Sequence, residues 1–434
     1  MYSAYITTIH NIRPHPNADR LQIVTVFGND TIVDLSYHLN QKVVYFPVDG
    51  QLSQEFAEAN NLLRKKDENG NNIGGYMNEN KRNITAVKLR GEKSDGLLLP
   101  VETLSPYTDI TKLKDGDPIS VLNGIEICKK YIPRKNTRNR SNHTTKKIKN
   151  KKHNFPYFEQ HVDTKQLAYN QGAFHEGDII YLTRKLHGTS GRTANSIKIT
   201  TKQRPKLLKK ILPFIKDKST SSYEVVTGTR KVVLDNFETG HFYSSDKFRE
   251  KWHNYFTNKL PKGMEVFYEL VGWVDENTPI MPRVNNTKIQ DKNFKKMYGK
   301  ETVFTYGCEP NQCDCYIYRI TITTEEGVVI ELPTEETMLW CERLGVPYVP
   351  YLEKFLYTTW EDLNERINKY LDLPEPLANG SHISEGVVVR IDNREKFTAF
   401  KQKGFLFKCL AGIAVDSITE TEMTKMSDDL LSEV

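Results

Sequence analysis

The sequence predicts an α+β protein in two sheet-rich units, the first with one short helix and the second with several. Three observations carry this prediction. Short β-prone runs recur from Ala4 to Arg390, separated by clusters of Gly, Asn, Asp and Pro. Helical spacing is confined to a few stretches, most of them in the second half. A segment from Lys129 to Lys152, rich in cations and poor in apolar residues, divides the two. The units span residues 1–125 and 154–434, joined by a basic linker over 126–153.

In the first unit the strand candidates are Ala4–Ile9, Leu21–Val26 and Val43–Phe46, with Leu97–Leu99 as a short apolar run of buried-strand length. Ser53–Leu63 is the one helical stretch, and residues 64–83, rich in Lys, Asn and Gly, have the composition of a long exposed loop. Several short strands and one helix in this length suggest a small β-barrel of the OB kind.

In the second unit Asp178–Thr183, Glu265–Val271, Thr302–Tyr306, Tyr316–Ile320 and Gly386–Arg390 read as strands. Ser245–Leu260, Thr334–Leu344, Thr359–Leu371 and the chain from Lys403 onward read as helices. This alternation argues for antiparallel sheets flanked by helices. No GxGxxG follows a strand and no GxxxxGK[ST] occurs, which removes the Rossmann and P-loop folds.

Charge sharpens the picture. The 434 residues carry 61 Lys plus Arg against 55 Asp plus Glu. Eleven of the cations, and no anion, lie between Lys129 and Lys152, so the rest of the chain is net acidic. Such a segment suits a polyanionic partner and reads otherwise as a solvated linker. Hydrophobic content of 38% suits a folded chain. No apolar run reaches the ~18 residues of a membrane span, and the first residues lack a signal-peptide pattern. With six Cys in this length no disulfide framework is expected, and an intracellular setting without membrane attachment is.

The chemistry is concentrated in an ordered series. Lys185-Leu-His187-Gly-Thr-Ser190 follows a β-run, and its glycine permits a turn that brings a lysine amine close to a ligand. After it come Thr229-Arg230-Lys231, Val266-Phe-Tyr-Glu269-Leu-Val-Gly272, Tyr316-Ile-Tyr318-Arg-Ile320, Ser384-Glu385-Gly-Val-Val-Val-Arg390 and Phe400-Lys401-Gln-Lys403. Each alone has a bland reading: a solvated lysine, a strand-end glutamate, an exposed Lys-x-Lys face, a half-buried tyrosine. Together and in this order they resemble motifs I, Ia, III, IIIa, IV and V of the covalent nucleotidyltransferase superfamily of ligases and capping enzymes.

Small departures refine the resemblance. DNA ligases and capping enzymes carry Lys-x-Asp-Gly-x-Arg, whereas His187 and Ser190 occupy the Asp and Arg positions here. Lys-x-His-Gly-Thr is the pattern of RNA ligases of the RNA ligase 2 kind. About 30 residues follow Lys403, too few for a rear OB domain. A front OB-like unit resembles the RNA ligase 5 type, and His15–Leu21 and Val87–Leu97 are similar to tRNA-binding OB domains.

The resemblance implies an ATP-dependent RNA ligase acting in RNA repair, a monomer that seals 3′-OH and 5′-phosphate ends at nicks in duplex RNA. Lys185 is the implied nucleophile, forming lysyl-AMP and then RNA-adenylate. Lys401 and Lys403, two apart on a strand, share a face and reach the α-phosphate. With Glu385 they complete the implied catalytic set. Glu385 and Glu269 are the implied ligands of Mg²⁺ or Mn²⁺, Glu269 alternatively holding the ribose. Tyr318 is the implied adenine-stacking residue, with Tyr316 as the fallback. Arg230 and Arg192 are assigned to the nucleotide or RNA phosphates, Arg192 in place of the arginine missing at position 190. Lys401, Lys403 and a metal are expected to depress the Lys185 pKa.

Two competing functions follow from the same residues: an RNA-binding protein with a degenerate transferase unit, and a GTP-using capping enzyme. The intact Lys185, Glu385, Lys401 and Lys403 oppose the first, and His187, Ser190 and the missing rear domain oppose the second. Cys308, Cys313 and Cys315 lie within eight residues. They admit structural zinc with Cys341 or a distant His, or reduced thiols in a hairpin loop, the latter favoured by the absence of CxxC.

Overall fold

The computed structural model describes residues 2–66, 72–75, 77–131, 154–168, 170–202, 218–234, 236–238, 243, 245–289 and 291–415. Of the basic segment only Lys129 and Lys130 are among them. Arg134, Lys135, Arg138, Arg140 and the 146–152 cluster lie outside the described residues.

The first unit contains, in order, β1 (Ala4–Thr8), β2 (Ile12–Pro14), β3 (Leu21–Val26), β4 (Asn29–Asp34), β5 (Lys42–Phe46), β6 (Gly50–Leu52), helix α1 (Gln54–Ala59), β7 (Arg64–Lys66), β8 (Asn72–Gly74), β9 (Ala86–Leu89), β10 (Glu92–Ser94), β11 (Leu97–Pro100), β12 (Pro118–Ile119), β13 (Val121–Leu122), β14 (Ile125–Glu126) and β15 (Cys128–Lys130). The main sheet runs β11-β5-β1-β12 and is antiparallel, beside a β2-β3-β4 meander. Alternation along β5 and β11 feeds two cores. Val44, Phe46, Leu97 and Leu99 join Leu52 and Phe56 on one side. Val43, Tyr45 and Leu98 join Ile9, Val24 and Val26 on the other. Burial on both faces is why these strands read as unbroken apolar runs. Among the described residues the sheets stay open, and no pairing closes them into a barrel.

Helix α1 starts where Ser53 Oγ accepts the Phe56 N–H. It ends at Ala59, short of the predicted Leu63, because Asn61 turns to φ +49°.

The second unit contains β16 (Lys165–Gln166), β17 (Ile179–Lys185), β18 (Thr189–Lys202), β19 (Lys218–Thr229), α2 (Lys247–Thr257), β20 (Met264–Gly272), β21 (Val284–Asn285), α3 (Lys292–Tyr298), β22 (Glu301–Thr302), β23 (Cys313–Thr323), β24 (Val329–Glu331), α4 (Thr334–Leu344), β25 (Tyr351–Leu356), α5 (Trp360–Asn368), β26 (Gly386–Ile391), β27 (Thr398–Lys403), α6 (Phe405–Leu410) and β28 (Ala414–Val415). One sheet is antiparallel in the order β19-β18-β20-β23-β24. The other runs β16-β27-β26-β17-β25, antiparallel except at β16–β27.

Each sheet has its own helix-covered core. Phe248, Trp252 and Phe256 of α2 and Leu344 of α4 pack on Val266, Tyr268 and Leu270 of β20. Trp360, Leu363 and Ile367 of α5 pack on Ile180, Leu182, Val387, Val389 and Phe400. Full burial of a side chain such as Phe256 contributes about 1.5–3 kcal/mol. A third core gathers Leu186, Val271, Phe304, Tyr306, Tyr316, Phe405 and Phe407, drawing on both sheets.

Two expectations change. Thr302–Tyr306 is not a strand beyond Thr302, since Tyr306 takes φ +53° and Phe304 and Tyr306 turn into the third core. Cys313 and Cys315 begin β23 as buried thiols instead of lying in a loop, and Cys308 is buried in a turn. Among the described residues no group of three or more His, Cys, Asp or Glu is placed to hold a metal ion, so zinc is not supported. Among them, too, no helix is long and apolar enough to cross a membrane.

Candidate active site

Strand alternation decides which side chains reach the space between the sheets. Val266, Tyr268 and Leu270 take one face of β20, leaving Glu269 on the other. Ile180 and Leu182 commit one face of β17 to the α5 core, and Lys185 falls on the opposite face. Phe400 does the same for β27, turning Lys401 and Lys403 together toward Lys185. In β23, Cys315 and Ile317 face α2 while Tyr316 and Tyr318 pack with the third core.

Register then sets the centre. Gly386 pairs with Lys185 on one side and with Lys403 on the other. A side chain there would put its Cβ 2.1 Å from the Gln402 carbonyl oxygen, so only glycine permits the approach. The preceding residue, Glu385, thereby lies between two ammonium groups, with Lys185 Nζ 2.9 Å from Oε2 and Lys403 Nζ 3.1 Å from Oε1. Gly188 makes a similar approach, its Cβ position only 2.1 Å from the Leu270 carbonyl oxygen.

The charges respond to one another. Burial alone would raise the Glu385 carboxyl, but Lys185 and then Lys403 outweigh it and hold it well below the usual range. Burial works against the Lys185 ammonium, yet Glu385 and Glu269 outweigh that and raise its pKa. Among the protein's own side chains, then, the two carboxylates outweigh the neighbouring cations at Lys185, and the depression expected of Lys401, Lys403 and a metal does not come from the side chains alone. Lys401 is the lysine brought down, to about 8, by burial and then by Lys185, Lys403 and Lys130. Glu269 is pushed up to about 7 by burial, with Lys185 lowering it and Glu385 raising it. Ser190 Oγ donates to Glu269 Oε2 at 3.1 Å.

His187 supports this group from beneath. Its backbone N–H donates to Tyr306 Oη at 2.6 Å, and its ring meets Phe304 and Phe407 edge-on, each at 4.8 Å. Nδ1 lies 3.6 Å from Glu385 Oε2. Burial lowers its pKa, so it serves as a neutral buttress of the turn.

The remaining candidates divide. Half-buried Tyr318 places its hydroxyl 3.0 Å from His161 Nδ1, and the charge of Glu269 bears on that hydroxyl. Tyr316 is cross-strand from Glu269 and buried. Arg230 stands at the end of β19, its Nε donating to Asp163 at 2.7 Å, and its charge is felt by Lys185 and Tyr318. Arg192 does not join them. Only 2% exposed, it donates to the carbonyls of Thr229 and Glu159, pairs with Glu265 and stacks on Phe158 at 3.8 Å. Its fork fastens the 154–163 segment to the sheet, and the phosphate role assigned to it gives way to a structural one.

The arginine that does serve the Lys185–Ser190 turn was not anticipated. Arg249 of α2 donates to the Ser190 carbonyl at 3.0 Å and to Thr189 Oγ1 at 2.8 Å, braced by Asp246. His161 and Asp163 are likewise additions. No sequence signal marks any of the three, because each reaches the site across a fold contact.

The donor set admits a divalent cation of one kind. Glu385 is buried and Glu269 half-buried, and the two are close enough for the charge of Glu385 to add to the effect of burial in raising the Glu269 pKa. With only two protein carboxylates, the fit is to a cation that keeps waters and takes phosphate oxygens, as Mg²⁺ and Mn²⁺ do. The flanking Lys185, Lys401 and Lys403 suit a polyphosphate.

Comparison with known proteins agrees with this geometry. The RNA ligase family matches residues 178–410, more than half of the chain. Among solved structures, Naegleria gruberi RNA ligase with PPi is similar at a TM-score of 0.57 and 17% identity, covering 94% of this chain and 98% of that one. A glutamate-to-alanine mutant of that ligase with ATP and Mn gives 0.58 and 17%, covering 94% and 99%. A lysine-to-alanine mutant with ATP and Mn gives 0.56 and 18%, covering 93% and 98%. At such identities the likeness concerns the fold. No curated protein matches. The family match takes in Lys185, Glu269, Glu385, Lys401 and Lys403, and by it this chain belongs to the RNA ligase family of enzymes.

Proposed function

We propose that the protein is an ATP-dependent RNA ligase that joins 3′-OH and 5′-phosphate ends through lysyl-AMP and RNA-adenylate. The observation that carries this is the Lys185–Glu385–Lys403 triad, a lysine nucleophile candidate and a second lysine held on one buried carboxylate. The similar Naegleria gruberi structures, with ATP and Mn or with PPi, support the choice of nucleotide.

Three transfers follow, all by in-line displacement at phosphorus. Lys185 Nζ attacks the ATP α-phosphorus, a P–N bond forms, the bond to the bridging oxygen breaks and pyrophosphate leaves. A 5′-phosphate oxygen then attacks the AMP phosphorus, and the P–N bond breaks as Lys185 recovers its proton. Finally the 3′-OH attacks the 5′-phosphorus, loses its proton and expels AMP.

Lys401 and Lys403 neutralise the α-phosphate, and Tyr318 stacks on adenine. Glu385 and Glu269 would hold the divalent cation, Glu269 alternatively the ribose. When bound, the cation offsets phosphate charge and favours the neutral amine of Lys185. Arg230 meets nucleotide or RNA phosphate at the rim. Residues 1–125 act as an OB-type nucleic-acid-binding unit, 126–153 as a basic linker and 154–434 as the transferase, with nicked duplex RNA as substrate. The acting form is taken to be a monomer.

Fresh protein mixed with ATP and Mg²⁺ should gain the mass of one AMP, lost in Lys185→Ala and not obtained with GTP. Absence of the adduct, with no sealing of nicked RNA, would sink the proposal. A GTP adduct would instead favour capping.

A further inference from the structure

The stretch Val87–Leu97 carries a resemblance to nucleic-acid-binding OB domains, yet two of its charged side chains, Lys93 and Asp95, reach the transferase unit. It forms the β9–β10 hairpin and the turn after it. Lys93 Nζ donates to Asp372 Oδ2 at 3.2 Å and lies 4.9 Å above the Phe405 ring. Asp95 Oδ1 accepts from Lys408 Nζ at 3.0 Å, and Lys408 is 8% exposed. Strand β28 adds to β9 in parallel, pairing Ala414 with Ala86.

Each of these contacts ends on helix α6 or beside it. Asp372 Oδ1 accepts the Leu406 N–H at 2.8 Å while its other oxygen takes Lys93. Helix α6 starts two residues after Lys403, and the Gly404 N–H donates to the Glu385 carbonyl at 3.0 Å. From the same helix Phe407 supports the His187 ring at 4.8 Å and lies 5.1 Å from Lys403 Nζ. The hairpin end is itself fixed, because the Asp95 carbonyl accepts from Thr31 and Tyr45, each at 3.0 Å, and the Asp95 N–H donates to Asp30 at 2.7 Å.

We infer that the β9–β10 hairpin is a positioning element of the transferase site: Lys93 and Asp95, acting through Asp372 and Lys408, hold α6 so that Phe407 keeps His187 and Lys403 aligned on Glu385. None of the four touches the reacting atoms. The first unit thus contributes to the first chemical step by bracing the site, separately from any grip on RNA. This rests on the ligase reading above.

The test uses the full chain and follows the mass adduct on Lys185 in a single turnover, with ATP dependence and RNA affinity measured beside it. Asp95→Asn and Lys408→Met should each slow the maximal rate about 5- to 30-fold, with half-saturating ATP and RNA affinity moved less than about twofold. Lys408→Arg should stay within about threefold of wild type. If Lys408→Met lowers the thermal midpoint, Lys93→Met, whose ammonium is half exposed, takes its place with the same expectation. Full rates in these variants overturn the inference, as do an Arg variant no better than Met and a loss of RNA affinity at unchanged rate. An active wild type beside fully active variants sinks the brace alone. A wild type that forms no adduct with ATP sinks the ligase reading and the brace together.

Discussion

Lys185 Nζ stands 2.9 Å from Glu385 Oε2, a closed ion pair that holds the amine in its charged form. The ammonium of such a pair is not a nucleophile. On the proposed reaction, polyphosphate and its cation would have to compete for Glu385 before the amine could lose its proton.

Replacing the carboxylate separates the two effects. In Glu385→Gln, Lys185 keeps its lysine neighbours and loses the first of the carboxylates that raise its pKa. The amine then deprotonates at lower pH, so the acid limb of adduct formation should move down the pH scale. The plateau should fall about 10²- to 10³-fold, because phosphate charge is no longer offset through that carboxylate. Single-turnover mass measurements across the pH range read both, and an acid limb that stays in place refutes the role given to the pair.

Lys401 supplies the alkaline side. Its pKa of about 8 means that it is charged below that pH and neutral above it. Its help with the α-phosphate should be present at neutral pH and lost as pH rises through about 8. The quantity to follow is kcat/KM for ATP in adduct formation, which reports groups of the free enzyme. Lys401→Arg should push the decline to higher pH, since a guanidinium stays protonated. Lys401→Met should lower kcat/KM below about pH 8 and remove that decline, converging with wild type above it.

Much of this site was legible in the sequence, for a reason that does not extend to all of it. Lys185, Glu269, Glu385, Lys401 and Lys403 sit on or beside strands with an apolar face, and period-two alternation tells which way each points. Alternation is silent about what waits at the end of a side chain. Arg192 shares a face with Ser190, but two residues along β18 the surroundings change from Glu269 to Glu265 and Phe158. Arg249, His161 and Asp163 reach the site from a helix and an irregular segment, through contacts as distant as the 157 residues between His161 and Tyr318. The direction at Lys185 was hidden for the same reason: the cations are written near one another in motif V, whereas the opposing carboxylates arrive from β20 and from the residue before β26.

The reassignment of Arg192 has its own consequence. Arg192→Met leaves the Glu265 carboxylate without the cation it pairs with, and the Glu159 and Thr229 carbonyls without their donor, in a buried place. Breaking one side of such a pair costs about 3–5 kcal/mol. Denaturant unfolding should show that loss, while folded protein should keep its half-saturating ATP concentration. A selective rise in that concentration at unchanged stability would return Arg192 to the nucleotide.

The basic segment offers the last separation of roles. Its cations from Arg134 to Lys152 lie outside the described residues, but Lys130, at its start, pairs with Asp49 at 3.6 Å and its charge reaches Lys401. The chain therefore enters the segment within electrostatic reach of Lys401. Each RNA phosphate that the cations of the segment neutralise releases counterions. Replacing Arg134, Lys135, Arg138, Arg140 and the lysines of 146–152 by Gln should weaken RNA binding at low salt. It should also flatten the dependence of log affinity on log salt by about 0.7–0.9 for each phosphate no longer neutralised, the range between single-stranded and duplex nucleic acid. Formation of the Lys185 adduct needs no RNA and should stay within about twofold of wild type. Equal losses in both assays would mean that the segment is part of the transferase fold.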